Sequence, residues 1–213
     1  MRMTTPNQTR MLERPRSGIT TAVPTDACSR PSVAPYCERV RALVSTERFA
    51  HIRRVARLAS QIARAHAFSE AELRATQLAA VLHDVARELP ASRMFELAPP
   101  EFEIERQYPL TLHGRASRRI AELWGVTDAA VLDAIEGHVF GVKPDDRVGM
   151  ALYVADISEP GRGVNAHIRE LAMTDLPGAY RLAVRTKVEY LQAIGKPVHP
   201  MTLGVYAALA NDS

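Results

Sequence analysis

The 213-residue chain suffices for one domain with an appendage, and its 46% hydrophobic and 24% charged residues are those of a globular protein. No run approaches the roughly 18 consecutive apolar residues of a membrane span, and no apolar segment follows Arg2 as a secretory signal would require, so a cytoplasmic chain without a membrane partner is expected. Residues 1–35 hold five arginines against Glu13 and Asp26, which leaves 22 of the 27 basic and 22 of the 24 acidic residues for the rest, a neutral body with no broad basic face for a nucleic acid.

The first 35 residues carry five prolines and many Ser and Thr without a 3.6- or 2.0-residue period, and read as a disordered basic tail. Cys28 and Cys37 lack metal-type spacing and are expected as free thiols in a reducing compartment. Residues 36–213 read as one all-α domain without internal repeats. In the first helix His51, Val55, Leu58 and Ile62 share a face. Ser69 and Glu72 form a capping box for a second helix that runs through Leu78, Leu82, Val85 and Leu89 to Pro90. A loop with Pro99, Pro100 and Pro109 follows, then a helix from near Thr111 that Gly125 can end. Further helices fit 128–138, 146–158, 166–173, 178–195 and 201–210.

Several polar residues interrupt these apolar faces. His51 lies on the apolar face of the first helix, and His83 and Asp84 break the run "AAVLHDVARELP". His113 stands at a helix start, His138 at a helix end, and Asp156 one turn after Leu152 in an apolar helix. A lone histidine on such a face is more often a hydrogen-bonded core residue than a ligand, and His66, His167 and His199 are read that way. Six intrusions on five helices point instead to a metal centre, since bundle metal sites are built from inward-facing histidines and carboxylates on several helices. Four imidazoles and two carboxylates suit borderline ions such as Fe, Mn, Co or Zn.

The ordered series H…HD…H…H…D resembles the HD-domain metal-dependent phosphohydrolases, and within them the YqeK-type symmetrical diadenosine tetraphosphate hydrolases. The resemblance covers about residues 40 to 210 and rests on "RFAHIRRVA", "AAVLHDVARE", "LHGRAS", "AIEGHVFG", "YVADISEPGR", "DLPGAY" and "GKPVHPMTL". It implies an HD-domain helical bundle in which His51, His83, Asp84 and Asp156 ligate one divalent ion, while Asp84 bridges to a second held by His113 and His138. Iron is expected first, with Mn, Co or Zn as alternatives. Four departures bear on substrate fit. Arg87 replaces a lysine, and His138-Val139-Phe140-Gly141 replaces His-Thr-x-Gly. Ser117-Arg118 and Ile157-Ser158 replace Gly-Ala and Tyr-Ile.

The implied reaction is hydrolysis of diadenosine tetraphosphate, and of related dinucleoside polyphosphates, to two ADP. Two ions about 3.5 to 4 Å apart would hold a bridging water for it. Asp84, Arg87 and Arg162 are the catalytic candidates, and Arg87, Glu159 and Arg162 the substrate contacts; Glu159 could instead orient a ligand or cap a helix. The rivals are an HD nucleotidase or phosphodiesterase acting on another nucleotide, a di-iron oxygenase, and a non-catalytic nucleotide-binding module. Six costly polar groups argue against the last. A homodimer stays open.

Overall fold

In the computed structural model, which describes residues 27–211, a 3-10 turn at Ala27–Ser29 leads into α1 (Ala34–Leu43). Two expectations are corrected here. Ordered structure begins before residue 36: Ala27 and Val33 are each 1% exposed and join the hydrophobic core. The expectation for residues 1–26 lies outside the described residues. Nor are the thiols free, because α1 carries Cys37 back over the turn and a disulfide joins the sulfurs of Cys28 and Cys37, whose Cα atoms lie 5.8 Å apart. The cysteines therefore lend no support to a reducing compartment.

Ser45 caps α2 (Thr46–Ala65) by accepting the Arg48 backbone N–H at 3.1 Å. The same serine donates its N–H and hydroxyl to Glu88, both at 2.7 Å, tying the start of α2 to the segment that carries the His-Asp doublet. The expected capping box opens α3 (Glu70–Leu82): Ser69 accepts from Glu72 N, and Glu72 accepts from Ser69 N at 2.7 Å. This helix stops at Leu82, not at Pro90. Beyond it the chain runs in tight turns closed by bonds of three-residue reach, from Val85, Arg87 and Leu89 to Leu82, Asp84 and Ala86.

The proline-rich stretch expected as loop holds α4 (Ala91–Leu97), α5 (Glu103–Gln107) and a 3-10 turn at Pro109–Leu112. Pro90 and Pro109 stand at helix starts, where a missing N–H costs nothing. The turn runs directly into α6 (His113–Leu123), which Gly125 ends at φ +89° with Val126 N–H returning to Ala121 O at 3.0 Å. There follow α7 (Ala129–Gly137), α8 (Arg147–Ser158), α9 (Ala166–Leu171), α10 (Leu176–Ala193) and α11 (Pro200–Asn211). Among the described residues there is no strand, and no helix is long and apolar enough to cross a membrane.

The centre of the bundle is α8, buried on every side from Val148 to Ala155 and packed against α2, α3, α7, α9 and α10. Three of those neighbours, α2, α3 and α7, lead to or carry the polar intrusions read from the sequence. The fold thus gathers at one end of α8 what the chain spreads over about a hundred residues.

Candidate metal centre and cleft

The structure brings all six predicted residues together. His51 comes from α2, His83 and Asp84 from the turn after α3, His113 from the first residue of α6, His138 from just past α7, and Asp156 from the last turn of α8. His83 is fully buried, and Asp84 and His138 are 3% and 4% exposed. Close approach of two helices is needed here. A Cβ on Gly114 would lie 2.7 Å from the Glu136 carbonyl, so glycine lets α6 close on α7 and brings His113 Nε2 to 3.0 Å from His138 Nε2.

One local device aims three of the histidines. His83, His113 and His138 each turn Nδ1 back onto the carbonyl three residues earlier, of Ala80, Leu110 and Ile135, at 2.8, 2.6 and 2.6 Å. The Ala80 and Ile135 carbonyls at helix ends are thereby satisfied, and the Leu110 carbonyl also accepts the His113 backbone N–H. A carbonyl only accepts, so Nδ1 carries the proton and Nε2 presents a lone pair to the interior. His51 is set differently, by Glu159, whose Oε1 lies 3.0 Å from its Nδ1.

The inward-facing atoms are mutual acceptors. Asp84 Oδ2 lies 3.7 Å from His51 Nε2 and 3.6 Å from His83 Nε2, while its Oδ1 lies 3.2 Å from His113 Nε2 and 3.6 Å from His138 Nε2. One carboxylate therefore divides its two oxygens between two pairs of imidazoles. Asp156 Oδ1 lies 3.1 Å from His51 Nε2 and 3.9 Å from His83 Nε2. Yet the Nε2 atoms of His51 and His83 have no hydrogen-bond partner. Lone pairs facing lone pairs at these distances repel, and an unpaired buried polar group costs about 1–3 kcal/mol. Cations between them remove both costs. The residues fit divalent ions: His51, His83 and Asp84 form one triad with ligand atoms within 4.8 Å of each other, and Asp84, His113 and His138 form another. His83, His138 and Asp156 form a third, overlapping triad.

Electrostatics agree with this reading. Burial holds the His83 and His113 imidazoles down at a pKa of about 4, which keeps them in the neutral, ligating form. Burial alone would raise Asp84, but His83, His113 and His138 around it hold it well below the usual carboxylate range. Asp156 is likewise lowered against its burial, by His51, His83 and Arg162.

The cluster forms part of the floor of a cleft of about 810 Å³, whose wall includes Tyr108, Phe140, Arg87 and Arg162. Arg87 is half-buried beside His113, with Nη1 3.4 Å from its Nδ1. Arg162 pairs with Asp156 Oδ1 at 2.5 Å and also donates to the Asp156 carbonyl. Of the roles expected for Glu159, the geometry favours orienting a ligand over contacting substrate. Glu159 is 1% exposed, and its carboxylate takes Arg54 Nε at 2.7 Å and Gly161 N at 2.6 Å besides His51, so it orients His51 and has no free edge for substrate. Burial would raise its pKa, but these donors hold it down at about 2.

Sequence reasoning missed Arg48 and Lys187. Arg48 Nη1 donates to Asp84 Oδ2 at 2.9 Å; it stands three residues before His51 on α2, a spacing that puts both on one face. Lys187 lines the same cleft from α10. Its signal was a cation beside the buried Ala183, Val184 and Val188. The three histidines set aside as structural stay apart from the cluster: His66 Nε2 bonds the Ala172 carbonyl at 2.8 Å, His199 faces Glu105 at 3.3 Å, and His167 is exposed.

Comparison with known proteins places the chain in a family. A Mycoplasma genitalium protein named "Probable nicotinate-nucleotide adenylyltransferase/Ap4A hydrolase" is 30% identical over 157 residues, 68% of this chain and 44% of that protein, so this chain spans less than half of that relative. A Bacillus subtilis protein named "Bis(5'-nucleosyl)-tetraphosphatase, symmetrical" is 29% identical over 150 residues, 67% of this chain and 80% of that one. The crystal structure of a protein described as a "predicted HD superfamily hydrolase involved in NAD metabolism" from Clostridium acetobutylicum superposes with a TM-score of 0.77 over 84% of this chain and 97% of that one; at 24% identity this is a likeness of fold. The family model described as "HD domain" matches residues 48–161, a span that holds all six clustered residues, and the chain belongs to the HD domain family.

Proposed function

We propose that the chain hydrolyses diadenosine tetraphosphate and related dinucleoside polyphosphates symmetrically, giving two ADP from the tetraphosphate. The observation that carries the reading is the Asp84 carboxylate, divided between two imidazole pairs at the floor of a cleft walled by cations and aromatic side chains. The names of the relatives support the substrate. His51, His83, Asp84 and Asp156 would hold one divalent ion, and Asp84, His113 and His138 a second; iron is the metal proposed first, with manganese, cobalt or zinc also suited to these donors. Such ions supply a water of lowered pKa and positive charge for the phosphoryl oxygens.

The chain's own residues do the rest. Main-chain carbonyls and Glu159 hold the imidazoles in the ligating tautomer, which fixes the donor set before substrate arrives. Arg87 offers its guanidinium to the charge that builds on the departing phosphate. Arg162 is tied to Asp156 and serves the phosphates by exchanging that partner for substrate. Tyr108 and Phe140 provide apolar surface for a nucleobase.

The test is turnover of a nucleotide panel by metal-loaded protein in heavy-oxygen water. Diadenosine tetraphosphate should give ADP alone, with one labelled oxygen per bond broken. AMP and ATP as first products would contradict the symmetrical cut, and turnover confined to mononucleotides or cyclic diesters would replace the substrate class.

A further inference from the structure

One cation in the cleft has no part in the chemistry above. Lys187 sits where α10 is otherwise apolar, beside Ala183, Val184 and Val188. Its ammonium donates to the Val139 carbonyl and lies 5.6 Å from the centre of the Tyr153 ring. Among the described residues no carboxylate lies within ion-pair distance of it. Three nearby arginines are already engaged, Arg48 with Asp84, Arg162 with Asp156 and Arg54 with Glu159, whereas Arg87 beside His113 has no carboxylate partner among the described residues. A cation kept largely out of water with only a carbonyl and a ring for company needs an anion from elsewhere.

Composition sharpens the point. Of 27 basic residues only Lys143, Lys187 and Lys196 are lysines, and Lys187 and Lys196 both line this cleft. A chain that uses arginine nearly everywhere places its point charges where a ligand would lie. A compact ammonium with three rotatable donors suits a single phosphate oxygen, whereas the arginine fork suits the carboxylates it is found on. Lys187 also lies outside residues 48–161, which the family model matches.

We propose that Lys187 is a phosphate contact of this cleft, reaching from α10 to a phosphoryl group of the ligand's chain and adding a third cation to Arg87 of the post-α3 turn and Arg162 of the segment after α8. The inference rests on reading the cleft as a dinucleoside polyphosphate site. It adds that recognition extends beyond the metal ligands to an element the family match leaves out. Lys196, in the same lining, is the second candidate along that wall.

Binding of ADP and of adenosine to the metal-loaded protein, measured by calorimetry, tests it. Lys187→Met should weaken ADP by about 10- to 100-fold, the range for a charged hydrogen bond, and leave adenosine unchanged; Lys187→Arg should recover part of the loss. A merely structural lysine would lower both ligands together. Should Lys187→Met fail to fold, limited acetylation of the parent replaces it: ADP should protect Lys187 and leave the exposed Lys143 equally reactive. Parent-like ADP affinity in Lys187→Met, no ADP binding by the parent, or unprotected Lys187 would overturn the inference. Phosphate-dependent binding through Lys187 in a protein that cleaves no dinucleoside polyphosphate would instead remove the proposed substrate and leave this contact standing.

Discussion

Two buried polar clusters lie within this bundle, and they are built on opposite principles. Around Glu105, which is 1% exposed, every donor meets an acceptor. Its Oε2 takes the Glu101 and Phe102 N–H groups at 2.6 and 3.0 Å, and its Oε1 takes Arg115 at 3.2 Å and His199 Nε2 at 3.3 Å. His199 completes the set by accepting the Met201 N–H at Nδ1, at 3.2 Å, and stacking on Phe140. Around Asp84, by contrast, imidazole lone pairs and carboxylate oxygens face one another and two Nε2 atoms have no partner. Burial is common to both. What separates a cation site from a structural network is the mismatch of donors and acceptors, and that mismatch is where a metal belongs.

The comparison breaks most visibly at Asp84. On the proposed activity, Asp84→Ala should lower turnover of diadenosine tetraphosphate by about 10³-fold or more, because both imidazole pairs lose the carboxylate they share. His138→Ala should weaken mainly one ion, which metal titration followed by elemental analysis would resolve. Parent-like rates in Asp84→Ala would remove the carboxylate from the chemistry.

Glu159→Gln acts one step further out. The His51 Nδ1–H and Arg54 would lose a carboxylate, and metal affinity should drop by about 10- to 100-fold with the fold intact. Unchanged affinity in a metal titration would show that His51 needs no orienting partner.

A smaller effect follows from pH. Burial lowers Lys187 to a pKa of about 8, so its charge is present below that pH and lost above it, whereas in the unfolded chain it persists to about 10.4. Between these values the unfolded chain binds more protons at this position, so its contribution to stability rises with pH. ADP affinity should move the other way, falling above pH 8 in the parent but staying flat in Lys187→Arg. Equal pH profiles would deny Lys187 the contact.

The smallest effect on function is expected from the other cluster. Glu105→Ala should cost about 1–3 kcal/mol of stability, read as a lower denaturant midpoint, and leave metal content at the parent level. Loss of metal in this variant would erase the distinction between the two clusters.

Much of this was legible in the chain. Ser69 and Glu72 marked a helix start and Gly125 a helix end because capping is local chemistry. All six cluster residues stood out as polar breaks in apolar periodicity, and their order carried the family resemblance. Four features did not show, each for a physical reason. The end of α3 at Leu82 depends on His83 folding back onto Ala80, which apolar periodicity through Val85 and Leu89 conceals. The prolines of residues 90–109 read as helix breakers although Pro90 and Pro109 sit at helix starts. The Cys28–Cys37 bridge depends on α1 beginning at Ala34, inside what looked like tail. Lys187 went unremarked because a cation in an amphipathic helix is ordinary until its neighbours are known to be buried.

Asp84 is proposed to join two cation sites. Equilibrium dialysis of the parent and of Asp84→Ala against a divalent metal, with elemental analysis per chain, tests it most directly. Two ions per chain in the parent and a loss at both positions in the variant are predicted. A parent that saturates at one ion, or a variant that retains two, would contradict it.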